Sequence, residues 1–147
     1  MSQSEPAFSK KPLKWYDRLS NLFYEASIAS HVGRIRAEAP MVFRKMINDI
    51  DTPLEPEMEN QVARYLRSPY QDEITPSETL MPRMMQKYGI SSEQFAELEK
   101  KERSQLNRRC NQCPSVSQCW KAMRNNAKIE ECDTFCANQA SFKAISH

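Results

Sequence analysis

Glycine and histidine are both scarce in this sequence, which has two of each in 147 residues, and the first 109 residues contain no cysteine. So little glycine leaves few places for tight left-handed turns or β-bulges. Methionine, leucine, alanine, glutamate, lysine, arginine and glutamine are common instead, and all of them favour helix. The expected class is all-α, a small bundle of six to seven helices. No run approaches the roughly 20 apolar residues of a membrane span. The start, Met1 to Pro6, is polar and is not followed by the apolar core of a secretory signal. A cytoplasmic protein without a membrane span is therefore expected. There is also no glycine-rich phosphate loop, no recognisable Ser-His-Asp set and no pair of carboxylates in a pocket-forming pattern. Nothing supports an enzyme.

Hydrophobic residues make up 39% of the chain, enough for one modest core. The net charge of +2 hides three blocks. Residues 1–48 balance at +4, residues 49–79 at −6, and residues 80–147 at +4. Such blocks suit docking on each other or on a protein partner. No stretch forms the strong basic face that nucleic acid requires, so none is expected to bind.

Residues 1–12 read as a mobile, weakly basic tail. From Leu13 the residues Trp15, Leu19, Leu22, Phe23, Ala26 and Ala29 recur at helical spacing, with Ile28, Val32 and Ile35 widening the stripe. The expectation is core packing, because the opposite face lacks the basic edge of a membrane-surface helix. Pro40 ends that pattern and opens a helix to Ile50, and Pro56 opens another to Arg67. Acidic Glu55, Glu57 and Glu59 suit its positive end. Residues 68–76 form the longest loop, which divides an N-terminal helical region (13–75) from a second module (76–147). In that module Leu80, Met81, Met84, Met85 and Tyr88 form a helical stripe, and these methionines, with Met123, are expected core fillers. Gly89 with Ile90 reads as a C-terminal cap. Ser91 with Gln94 reads as a capping box, opening a helix with Phe95, Leu98 and Leu106 inward that runs toward Cys110.

All five cysteines lie between Cys110 and Cys136. In a chain expected to stay reduced, such clustering indicates ligands or redox groups more than disulfides. Cys110 and Cys113 form a C-x2-C pair, which brings two sulfurs to one side of a tight turn. Cys119 closes the cup if residues 114–118 turn back into a helix. A fourth ligand then comes from the distal pair, Cys132 and Cys136. Four thiolates suit a [4Fe–4S] cluster or tetrahedral zinc. Structural zinc favours two separated C-x2-C knuckles, whereas here the distal pair is C-x3-C. Trp120, Phe135 and Phe142 would shield such a centre, and Arg108, Arg109, Lys121 and Arg124 would offset its charge. Neither His31, in a helical run, nor His147, the final residue, is an expected ligand.

Three segments carry a resemblance. They are Leu80 to Ile90, then Arg109-Cys110-Asn111-Gln112-Cys113 with Cys119-Trp120, and finally Phe135 to Phe142. Together, over about residues 78–145, they resemble a bacterial family of unknown function numbered 6455. Its pattern is a methionine-rich helix ending in glycine, an Arg-Cys-x-x-Cys with a third cysteine six residues on, and a terminal Phe-Cys-Pro-Asn-Ala. The resemblance maps the recurring cysteines to Cys110, Cys113, Cys119 and Cys136, leaving Cys132 as the extra thiol and alternative ligand. Ala137 stands where the family often has proline. The C-x2-C-x5-C spacing alone is also similar to auxiliary-cluster domains of radical enzymes, where it binds a four-iron cluster. The expected function is an iron–sulfur protein in electron transfer or in redox or oxygen sensing. The competing expectation is an interaction protein with a structural zinc site.

Overall fold

Proline sets where helices begin. Pro40, Pro56, Pro76 and Pro82 each occupy the first or second position of a helix, where the missing N–H costs nothing. The computed structural model describes residues 15–66 and 73–146, except for the side chains of residues 15–17 and 19. The tail over 1–12, most of the loop over 68–76, His147, and the side chains of Trp15 and Leu19 lie outside that description.

Among the described residues there is no strand, and there are ten α-helices: α1 (Trp15–Glu38), α2 (Pro40–Asn48), α3 (Pro56–Ala63), α4 (Pro76–Thr79), α5 (Met81–Lys87), α6 (Ser92–Ala96), α7 (Lys100–Asn111), α8 (Val116–Arg124), α9 (Ile129–Cys132) and α10 (Gln139–Ser146). A 3-10 turn, Arg64–Leu66, extends α3. Seven of the ten have at least seven residues; the other three are single turns, and two of them, α4 and α6, lie where expected long helices break.

Each break has a local cause. The helix expected through Met85 stops and restarts at Leu80, because Pro82 has no N–H to give the carbonyl of Glu78 and its ring crowds that oxygen. The helix expected from Ser91 to Cys110 divides between α6 and α7. There the Arg103 guanidinium donates to the carbonyls of Ala96 and Leu98, satisfying acceptors that an unbroken helix would have used. The predicted caps form. Gly89 takes a φ of +77°, and the N–H of Ile90 donates to Met85 O at 2.9 Å, as a Schellman ending requires. The Ser91 hydroxyl and the Gln94 side chain exchange the two bonds of a capping box. With glycine so scarce, α8 ends on an asparagine instead: Asn126 adopts a φ of 51°, and the Ala127 N–H reaches Ala122 O.

The core is one cluster fed by every long element, including Val32, Phe43, Ile47, Val62, Leu66, Leu80, Met84, Leu106, Trp120 and Phe142. The methionine expectation holds, since Met81, Met84, Met85 and Met123 are all buried. The expectation for the first half of α1 does not hold. Leu22 and Phe23 are 62% and 67% exposed, and the buried face is the later one, with Val32 enclosed and Ile28 and Ile35 half-buried. α1 packs on α2 and α3 through that later face. The approach is close enough that a Cβ at Gly33 would stand 3.1 Å from the Tyr65 hydroxyl.

The charge blocks meet each other. Arg124, with its side chain 3% exposed, pairs with Glu59 at 3.0 Å and donates to the carbonyls of Asp49 and Thr52. Its guanidinium lies 4.7 Å from the centre of the Trp120 ring. The Trp120 indole N–H donates to Ile47 O at 2.8 Å, and Arg83 holds Asp51 through both carboxylate oxygens. The acidic segment is thus largely consumed within the chain. No helix among the described residues is long and apolar enough to cross a membrane.

Candidate metal centre

Three pieces of chain bring the thiols together. Cys110 sits in the last turn of α7, and Cys113 follows in the turn after it, with the Cys113 N–H bonded to Cys110 O at 3.2 Å. Residues 114–115 then reverse the chain into α8, as the spacing required, and Cys119 lies on that helix facing back. Cys136 arrives from the far side, in the turn between α9 and α10.

These four sulfur-bearing residues line one apolar pocket together with Leu80, Met81, Met84, Val116, Phe135 and Phe142. The enclosed cavity itself is about 30 Å³. Beside it the N–H of Ser77, at the start of α4, donates to the Asn111 side chain at 2.8 Å. The fifth thiol is placed differently. Cys132 is completely buried on α9 and does not line the pocket, although Cys119 and Cys136 lie within its electrostatic reach. All five are free thiols.

Burial dominates their chemistry. It pushes Cys110 up to about 12, helped by neighbouring Cys113 and Cys136. It raises Cys119 further still, with the other cysteines adding. Cys136 is pushed up to about 11 by burial, against which the backbone N–H of Asn138 pulls down by donating to its sulfur. A matching bond runs from the Ser115 N–H to Cys113 Sγ at 3.3 Å. In both cases the donor is two residues beyond the cysteine, and N–H groups aimed at sulfur stabilise thiolate. Without metal, the raised thiols are neutral near pH 7, so binding a metal must expel protons.

The residues fit a thiolate-held group in donor type and number. They are not gathered on a point: among the described residues no three Cys, His, Asp or Glu side chains stand close enough to grip one ion. A zinc ion with Zn–S bonds of about 2.3 Å would hold its sulfurs roughly 3.8 Å apart.

The other expected contributors divide. Phe135 and Phe142 wall the pocket as expected, but Trp120 does not, being turned instead to Ile47. Lys121 and Arg124 are engaged with Asn60 and Glu59, so they do not offset charge in the pocket. Arg109 bonds Asn138 and Ser141. Arg108 is exposed. His31 is exposed on α1 and remote from the site. The sequence did not reveal the network beside the pocket, in which the Tyr88 hydroxyl donates to Asp133 at 2.5 Å and Lys143 pairs with the same carboxylate at 3.1 Å. Tyr88 also packs on Phe142, with ring centres 5.4 Å apart. Only the recurrence of Asn138 in the terminal motif hinted at its part.

A family described as of unknown function (DUF6455) matches residues 69–147, more than half of the chain. The chain belongs to that family. The DUF6455 span holds all five cysteines, the pocket and the helices from α4 onward, while α1, α2 and α3 precede it. No curated protein and no solved structure matches the chain.

Proposed function

We propose that Cys110, Cys113, Cys119 and Cys136 hold a [4Fe–4S] cluster, and that the protein acts in electron transfer or in sensing redox state or oxygen. One observation carries this reading: four of five free thiols, from three separate pieces of chain, converge on one apolar pocket while the fifth is packed outside it. What favours a cluster over one ion is the irregular ligand spacing, C-x2-C-x5-C followed by Cys136, against the two separated C-x2-C knuckles of structural zinc. When bound, such a cluster supplies a one-electron couple. The chain's own part is to exclude water with Phe135, Phe142 and the methionines, and to tune the sulfurs through the Ser115 and Asn138 N–H groups.

The second reading is an interaction protein whose zinc is structural. What favours it is the exposed apolar set Leu22, Phe23, Tyr24, Met41 and Val42 on α1 and α2, larger than single scattered residues need. Under it a protein partner covers that face.

Anaerobic purification with absorption spectroscopy and metal analysis separates the two. A brown protein with a broad band near ~400 nm and about four irons is expected. A colourless protein carrying one zinc would sink the cluster.

A further inference from the structure

The fourth thiol is the one whose position most needs explaining. Cys110, Cys113 and Cys119 are held by consecutive elements, α7, its closing turn and α8. Cys136 sits in a turn between two short helices, with Ala137 exposed beside it. Its backbone bonds, to Cys132 O and from the Gln139 N–H, stay within its own segment, so a side chain must tie it to α7.

The side chain that does so is Asn138. It is 2% exposed, one of two buried polar residues in the described structure. Asparagine directly before a helix usually turns its side chain onto that helix's first N–H groups. Here it points across to α7. Its amide nitrogen donates to Leu106 O at 2.9 Å, the carbonyl that in the regular helix ladder also receives the N–H of Cys110. Its amide oxygen accepts from Arg109 at 3.0 Å, and the same guanidinium nitrogen reaches Ser141 Oγ on α10 at 3.0 Å. The Asn138 carbonyl accepts the Phe142 N–H. One buried amide therefore joins the helix bearing Cys110 to the turn bearing Cys136 and to the helix bearing Phe142.

We infer that Arg109 and Asn138 form a latch that positions Cys136 against the other three thiols, making them the residues that decide whether the site has three thiols or four. This rests on reading the four cysteines as one site. Both latch residues act through Cys136 and are positioning residues.

The test is site-resolved alkylation of the full chain, using iodoacetamide under native conditions and mass spectrometry to follow each cysteine. Asn138→Ala should speed modification of Cys136 about tenfold, the scale of losing a buried amide's bonds, and change Cys113 and Cys119 by less than about twofold. Asn138→Asp keeps the size and the acceptor for Arg109 but sets an oxygen against Leu106 O, so it should behave like Asn138→Ala. Arg109→Ala should expose Cys136, and Arg109→Lys should restore part of the protection. Equal acceleration at every cysteine, or an unchanged Cys136, overturns the latch. The contrast is read after chelation of any bound iron, because a thiolate held on iron does not alkylate. A wild-type chain that loads four irons while Asn138→Ala leaves Cys136 protected removes the latch and keeps the cluster. A chain without iron that still shows the contrast does the reverse.

Discussion

The two faces of α8 are built on opposite terms. One face, Trp120 and Arg124, meets α2 and α3, and there every strong donor has a partner: indole to Ile47 O, guanidinium to Glu59 and to two loop carbonyls. The other face, Val116 and Cys119, meets a pocket of thiols and apolar side chains held by few polar bonds. A satisfied, buried polar interface fixes one arrangement, because breaking any member strands the others. An apolar pocket lined by weakly polar thiols has no such network to break. Stability and chemistry are thus separated by about a quarter-turn of one helix.

The widest breach should come from Trp120→Ala. It removes a fully buried ring and leaves Ile47 O unpaired, for a loss of about 3–5 kcal/mol in chemical denaturation, with any metal-to-protein ratio in the surviving folded fraction unchanged. A loss of metal without a loss of stability would mean that the two faces are not separate. Arg124→Ala comes next at about 3 kcal/mol, since Glu59 is left nearly buried without its cation. A double-mutant cycle with Glu59→Gln should recover part of that loss.

On the other face the order of effects reverses. Cys132→Ser should cost about 1–2 kcal/mol, for a hydroxyl placed in a fully buried site, yet retain the metal. Cys136→Ser should cost the metal-free protein less than this and lose the metal. If Cys132→Ser is instead the substitution that empties the site, the assignment of ligands is wrong.

The smallest effect should be acid sensitivity. Arg83 holds Asp51 below the usual carboxylate range, and Tyr88 followed by Lys143 does the same for Asp133. A folded-state pKa below the unfolded one stabilises above the unfolded value, about pH 4, and that contribution disappears as pH falls through the folded value. Melting temperatures measured from pH 6 downward should therefore fall less steeply in Asp51→Asn and Asp133→Asn than in the parent. An unchanged slope would show these pairs to be inert.

Much of the C-terminal module was legible because its signals are local. Gly89 with Ile90, Ser91 with Gln94, and Cys110 with Cys113 each act within six residues, so sequence spacing nearly is geometry. α1 shows the limit. One broad apolar stripe runs along it, and periodicity cannot say which part of it finds a partner. The choice falls to Val32 and its neighbours because Val62 and Tyr65, some thirty residues later, offer the surface. The break after Ala96 was hidden for a similar reason. No proline or glycine marks it, and the Arg103 bonds to two carbonyls that accompany it come from the following helix. Trp120 beside Cys119 invited a shielding role, but adjacent helical residues point about 100° apart. Asn138 stood in plain view within a motif, though its bond to Leu106 crosses 32 residues.

The late arrival of Cys136 also bears on the order of events in time. Three thiols emerge within ten residues of one another during synthesis, but the fourth follows only after a further stretch that takes on the order of seconds to make. Under the cluster reading, three thiols alone would leave one iron without a protein ligand, and folding of the Phe135–Phe142 segment would be the step that completes the site.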